Sequence, residues 1–240
     1  MASNNNKKNL LHAFFSNFKS SLPSVALITA VSTLTLGIVL YLYIWQNVPI
    51  SDLTRDTAAI GQLPFYAGFL SQIGICLWAA SAMICFFSAT VLPNHCASYR
   101  QLKRFLFVSA SLTLFLGLDD AFLLHETVFP QLGISSKVIY ASYGVFFLSY
   151  LFRFYKLILR TDHFLLAIAL GFFGMSIAID MLELSGQRAF LFEDGAKFVG
   201  ILSWLVYFFQ TGKYSIQLSK AQQPVGLSQY DAARSKRQVR

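Results

Sequence analysis

Long apolar segments alternate with short polar ones along almost the whole chain. Each apolar segment is close to the ~20 residues that a helix needs to cross ~30 Å of hydrocarbon. Because hydrocarbon offers no partners to backbone amides, such segments must satisfy their amides internally as helices. The pattern predicts an all-α fold, a polytopic transmembrane bundle with six spans. These spans cover about residues 24–46, 65–92, 104–126, 136–156, 163–184 and 190–211.

The polar ends of the chain complete the predicted domain organisation. Residues 1–22 form a basic N-terminal segment, residues 23–211 the six-helix transmembrane domain, and residues 212–240 a polar basic tail. The first apolar run is longer than the 7–15 residues typical of a signal-peptide core, so we expect it to remain as a span. The tail has the composition of a loosely ordered segment.

Lysine and arginine are distributed unequally between the two sides of the predicted bundle. The two chain ends and the second and fourth loops together hold 15 of them, whereas the alternate loops hold only Arg55, Lys137 and Arg188. Basic loops face the cytoplasm, so both termini are predicted to be cytoplasmic. We expect a cell inner (plasma) membrane, although a thylakoid or organelle membrane would fit the same bias.

Charge and composition narrow the class of partner. Only 12% of the residues are charged, whereas soluble domains carry about 25%. The net charge of +8 resides at span ends, where membrane topology accounts for it, so no nucleic-acid partner is expected. The expected partner is the lipid bilayer, together with an unknown small molecule, lipid or peptide substrate.

Seven of the eleven acidic residues lie in or at the ends of the third, fifth and sixth spans. A carboxylate at the bilayer centre costs ~2.5–3.5 kcal/mol, and less near the interface. With the predicted topology, all seven fall toward the non-cytoplasmic ends of their spans. We therefore expect one polar site at the outer face. The seven residues are Asp119, Asp120, Glu126, Asp180, Glu183, Glu193 and Asp194.

Helical phase indicates which side chains of the third span share a face. Asp119 and Glu126 are seven residues apart and only ~20° apart around an unbroken helix. They are therefore predicted to form a core pair. Asp120 and His125 fall on opposite flanks of that line, and one of them is expected to reach a neighbouring helix.

The fifth and sixth spans add a second acidic face and a buried cation. Asp180 and Glu183 are three residues apart and share a face. Lys197 follows Glu193 by four residues and Asp194 by three, so it can pair with either acid along one helix. An ammonium group this far inside an apolar stretch needs a partner.

Seven acids against one lysine cannot all be ionised at low dielectric, so the site requires protons or bound cations. Carboxylates with a histidine suit a divalent metal ion, although the spacing matches no known metal motif. The predicted metal ligands are Asp119, Glu126, His125 and Asp180. Glu183 and Glu193 are the candidate catalytic bases or further ligands, and Lys197, Asp194 and Asp120 would balance charge.

Three classes of function remain open at this point. The first is a divalent-metal-dependent membrane hydrolase that acts on a lipid or peptide from the outer leaflet. The second is a proton- or cation-coupled transporter or channel, in which intramembrane acids act as relay groups. The third is a non-catalytic scaffold or assembly subunit, in which the polar side chains form a structural network.

Two short segments resemble known families. Leu118-Asp119-Asp120 followed by His125-Glu126 resembles a pattern of uncharacterised bacterial multi-span membrane proteins, in which the first part often reads Leu-Asp-Glu. Glu193-Asp194-x-x-Lys197 is similar to the Glu-Glu-x-x-Lys motif of PrsW-type membrane proteases and their Abi relatives, with Asp in place of the second Glu. The second resemblance implies a membrane peptidase. The chain lacks the histidine pair of alkaline-ceramidase-like hydrolases.

Overall fold

Helices make up nearly all of the structure, a computed structural model that describes residues 2–93, 97–182 and 187–221. These residues contain no strand, which confirms the predicted all-α class for the part described. In chain order the helices are α1 (Ala2–Gln46), α2 (Ile50–Thr54), α3 (Thr57–Ile60), α4 (Phe69–Val91), α5 (Ala97–Phe122), α6 (Phe129–Gln131), α7 (Ser136–Ile158), α8 (His163–Met181) and α9 (Gln187–Ala221).

Five of these helices are long and apolar enough to cross a membrane, counted over the described residues. Their crossing segments are Leu22–Gln46, Phe69–Val91, Ser98–Phe122, Lys137–Ile158 and His163–Met181. They match the first five predicted spans to within about six residues at each end, and the largest difference is the start of the third at Ser98 instead of 104. The chain is therefore an integral membrane protein by helix length and hydropathy. The sixth predicted span lies inside α9, which is not among the five.

The chain divides into two compact units. The first, Met1–Ala67, holds α1 and the short helices α2 and α3. The backbone of α1 is helical through Pro23, so the predicted N-terminal segment and the first span share one helix. Asp56 begins α3, because its carboxylate accepts a 2.8 Å hydrogen bond from the backbone N–H of Ala58.

The second unit, Gly68–Arg240, is built around α9. α4 packs against both α5 and α9, and α8 packs against α9. The centre of the unit is aromatic: Trp204 and Phe208 of α9 are fully buried, and Phe105 of α5 stacks against Tyr150 of α7. Glycines allow the helices to approach closely. A Cβ on Gly200 of α9 would lie 2.6 Å from the ring of Phe173 on α8.

The end of α9 differs from the prediction. A loose tail was expected from residue 212, but α9 continues to Ala221. Ser215 is fully buried and donates a 2.7 Å hydrogen bond to the carbonyl of Gly212. The Tyr99 hydroxyl on α5 donates to the Leu218 carbonyl at 3.2 Å. Polar residues after position 212 thus belong to α9 and make hydrogen bonds there. The polar composition of this segment therefore led to a prediction that ended the helix too early.

Candidate functional site

The third span ends in a break rather than in a continuous helix. α5 stops at Phe122, and Leu123 adopts the left-handed conformation with φ 51° and ψ 42°. Leu124–Val128 then forms a π-helical turn. Such turns and bulky residues with positive φ are uncommon and are often found at functional sites. The break changes the helical phase, so the predicted shared face of Asp119 and Glu126 does not form: Asp119 is buried and Glu126 is exposed.

Asp119 is the centre of the polar contacts around this break. Its Oδ1 accepts hydrogen bonds from the backbone N–H of His125 and from the Tyr143 hydroxyl, both at 3.0 Å. Its Oδ2 lies 2.7 Å from Nδ1 of His125. The carboxylate therefore satisfies a backbone amide that the broken helix leaves without a partner. It also joins α5 to α7 through Tyr143.

His125 lies between two carboxylates, beyond the end of the crossing segment. Its Nδ1 faces Asp119, and its Nε2 lies 3.4 Å from Oε1 of Glu126. The hydrogen bond to Asp119, followed by the one to Glu126, raises the pKa of His125 from 6.5 to about 9. The same contact holds the pKa of Glu126 below its usual value. At neutral pH the imidazole is thus a cation between two anions.

Asp120, which follows Asp119 in the chain, faces α9. Its Oδ1 accepts a 2.5 Å hydrogen bond from Nζ of Lys197 on α9. The Asp120 side chain is 8% exposed and that of Lys197 is 32% exposed. The predicted pairing of Lys197 with an acid on its own helix is replaced by a contact between helices. Two opposite charges therefore cancel where each alone would be costly.

A small cavity adjoins this ion pair. It measures about 40 Å³ and is lined by Asp120, Lys197 and Asp194 together with Ser71 and Gly74 of α4. About 10–15 Å³ of such space holds one water molecule, so the cavity has room for water but not for a lipid or a peptide. Gly74 leaves Asp120 room on this side, because a Cβ there would lie 3.9 Å from Oδ2.

Asp180 belongs to the same end of the second unit, but it does not join Asp119 directly. Its Oδ2 accepts a 2.6 Å hydrogen bond from the Tyr140 hydroxyl of α7. Tyr140 and Tyr143 are three residues apart on α7, so one face of that helix serves Asp180 on α8 and Asp119 on α5. The sequence interpretation did not include these tyrosines. Buried tyrosine hydroxyls usually find partners, and this tendency could have indicated them.

The remaining described acids are half-buried or exposed. Glu126 is 52% exposed, Glu193 is half-buried and Asp194 is exposed. Glu183, a predicted base or ligand, lies outside the described residues. Among the described acids of these spans, Asp119 and Asp120 are buried, whereas Asp180 is exposed like Glu126 and Asp194.

The predicted metal ligands are not gathered around one point. Among the described residues, no group of three or more His, Cys, Asp and Glu side chains is placed to hold a metal ion. Asp119 holds Nδ1 of His125, and Asp180 is bonded to Tyr140. The described side chains do not fit a divalent metal, which stays a prediction from sequence.

The fold and this site define an α-helical integral membrane protein with a network of polar side chains at one end of its helices. The chain belongs to the family described as a domain of unknown function (DUF8692), whose family model matches residues 25–211. That match includes all of the polar residues described above. No curated protein and no solved structure matches the chain.

Proposed function

We propose that the chain is a non-catalytic component of the inner (plasma) membrane with six spans and cytoplasmic termini. In this proposal its outer polar network fixes the packing of the helix ends. One observation carries it: Asp119, Asp120 and Asp180 are each bonded to a side chain of a different helix. These bonds connect α5 to α7 and α9, and α7 to α8.

Hydrogen bonds of this kind are well suited to fix helix packing in lipid. A charged group contributes about 1.5–3 kcal/mol per hydrogen bond. A helix that shifts or rotates loses these hydrogen bonds. The acid that is then left without a partner at this depth costs free energy. The network thus favours one arrangement of the helices over others that bury the same apolar surface.

The Asp120–Lys197 pair also supports α9 as the sixth span. Hydropathy counts Glu193, Asp194 and Lys197 as three full charges near the start of this helix. In the folded protein Lys197 is neutralised by Asp120 from α5. The apolar stretch that follows includes Trp204, which is fully buried. The cost of inserting α9 is therefore lower than its sequence alone indicates.

Stability measurements on acid-to-amide variants test the proposed network. Asp119→Asn and Asp180→Asn remove the carboxylates with little change of shape, and Asp52→Asn removes an exposed carboxylate on α2, outside the network, as a control. We expect Asp119→Asn to lose about 1.5–3 kcal/mol of unfolding free energy in detergent micelles and Asp180→Asn about 1 kcal/mol. The control should lose almost nothing. Equal stability of all three variants and the wild type would refute the network.

A second candidate is a hydrolase for a lipid or peptide from the outer leaflet, with His125 and Glu126 as acid and base. Its support is the orientation of His125, which Asp119 holds through Nδ1 while Nε2 points to the exposed Glu126. An imidazolium held in this way can donate a proton, and a nearby carboxylate can accept one from water.

Product analysis separates the two candidates. The full chain is reconstituted in vesicles of phosphatidylethanolamine and phosphatidylglycerol, and is separately incubated with a peptide library. Release of fatty acid or cleaved peptide by the wild type, absent in His125→Gln and Glu126→Gln, would establish the hydrolase. If the wild type releases no more product than either variant, the non-catalytic proposal stands.

A further inference from the structure

The beginning of α5, remote from the polar network, carries three basic residues on one face. Arg100, Lys103 and Arg104 are followed one turn later by Phe107 and Val108. The spacing i, i+3, i+4, i+7 and i+8 places all five on a single stripe of the helix. These five residues, the α5 stripe, line a surface groove of about 320 Å³.

The stripe changes from charged to apolar along the helix axis. Arg100 and Arg104 are exposed, and Phe107 and Val108 are 57% and 36% exposed. At 1.5 Å per residue the two apolar side chains lie ~4–6 Å farther along the helix than Arg104. Because the crossing segment runs from Ser98 to Phe122, this direction is toward the membrane interior.

We propose that the α5 stripe binds an anionic phospholipid. The lipid phosphate lies among the three cations, where arginine can bind two phosphate oxygens through paired N–H groups. The first part of an acyl chain lies over Phe107 and Val108. Basic clusters at span ends attract anionic lipids in this way. The site is separate from the polar network, so it goes beyond the proposed function.

A second basic triplet on the same predicted side provides a matched control. Arg153, Lys156 and Arg160 lie at the end of α7 and just after it. The Arg153 guanidinium lies 5.6 Å from the centroid of the Phe154 ring, and Lys156 Nζ lies 5.8 Å from that of Tyr155. If the α5 cations served only membrane topology, the two triplets would attract lipid equally.

Lipid titration of the delipidated full chain in neutral detergent tests the proposal, with bound lipid counted by native mass spectrometry. We expect phosphatidylglycerol to bind more tightly than phosphatidylcholine. Each Arg→Gln or Lys→Gln change at 100, 103 or 104 should weaken phosphatidylglycerol binding about fivefold, the factor that corresponds to ~1 kcal/mol per cation. Changes at 153, 156 and 160 should leave the affinity within about twofold.

Further binding measurements distinguish a lipid from a free phosphate, and a folding control excludes loss of structure as the cause of weaker binding. Phe107→Ala should weaken binding of long-chain phosphatidylglycerol more than that of a short-chain analogue, and inorganic phosphate should not compete at millimolar concentration. Circular dichroism confirms that each single variant keeps its helix content, and the comparison uses the positions whose variants do. Equal losses for the two triplets, or equal binding of both lipids, would overturn the proposal.

Discussion

The contact between Asp119 and His125 makes the stability of the protein depend on pH. In the unfolded chain the histidine has its ordinary pKa of 6.5, whereas in the folded protein the pKa is about 9. Because the folded state binds the proton more tightly, this stabilisation is fully present below pH 6.5. It is lost progressively as the pH rises through 9.

The size of the effect follows from the shift. One pKa unit corresponds to about 1.36 kcal/mol, so a rise from 6.5 to about 9 sets an upper limit near 3 kcal/mol. The side chain of His125 is 15% exposed and that of Glu126 is 52% exposed. Solvent screens the outer contact, so we expect about 1–3 kcal/mol, most of it from Asp119.

Unfolding free energies of the wild type and His125→Gln, measured between pH 6 and pH 10 in detergent, test this prediction. The difference between the two removes the titration of tyrosines and lysines that both proteins share. His163→Gln, a change at an exposed histidine at the start of α8, serves as the control. The advantage of the wild type over His125→Gln should shrink as the pH rises. A constant or growing advantage would show that the contact with Asp119 does not raise the pKa of His125 in the folded protein.

Two further predictions concern the helix contacts of the second unit. Gly200→Ala should cost about 1–3 kcal/mol of unfolding free energy, because the new Cβ would lie 2.6 Å from the ring of Phe173. The control Gly144→Ala meets nothing within 4 Å and should be neutral or stabilising. The Gly200→Ala variant should therefore unfold at the lower temperature, and equal midpoints would contradict the close approach of the two helices. Thr113→Val should cost about 1–3 kcal/mol of unfolding free energy, because the buried Trp204 Nε1 then loses its 3.0 Å hydrogen-bond partner. Thr113→Ser keeps a hydroxyl and should recover most of that loss. A Val variant as stable as the Ser variant would contradict a stabilising role for the hydrogen bond.

The sequence predicted the class of fold because hydrocarbon leaves a chain few options. Any uncharged apolar run of the right length must be a helix, so the ends of the first five spans were located to within about six residues. The structure also brings one acid of span three and one of span five to the same face of α7, where Asp119 accepts a hydrogen bond from Tyr143 and Asp180 accepts one from Tyr140.

The pairing of the acids was harder to predict. Helical phase predicts a shared face only when the helix is unbroken. The left-handed Leu123 interrupts the helix between Asp119 and His125. Nothing in the sequence around Leu123 signals the break, since neither glycine nor proline marks it. Lys197 was assigned to acids on its own helix because sequence spacing shows only near neighbours, and its actual partner Asp120 is 77 residues away along the chain.

A double-mutant cycle on Asp120 and Lys197 measures how strongly the polar network stabilises helix packing, because this pair connects α5 to α9 at the predicted outer end. The variants are Asp120→Asn, Lys197→Met and the two together. Each single change leaves one buried group without its charged partner and should cost about 2–4 kcal/mol, while the double variant leaves no uncompensated charge and should recover much of this. A coupling energy above about 1.5 kcal/mol is expected for a contact between helices. Losses that simply add, with a coupling near zero, would show that the pair does not stabilise the packing of α5 against α9.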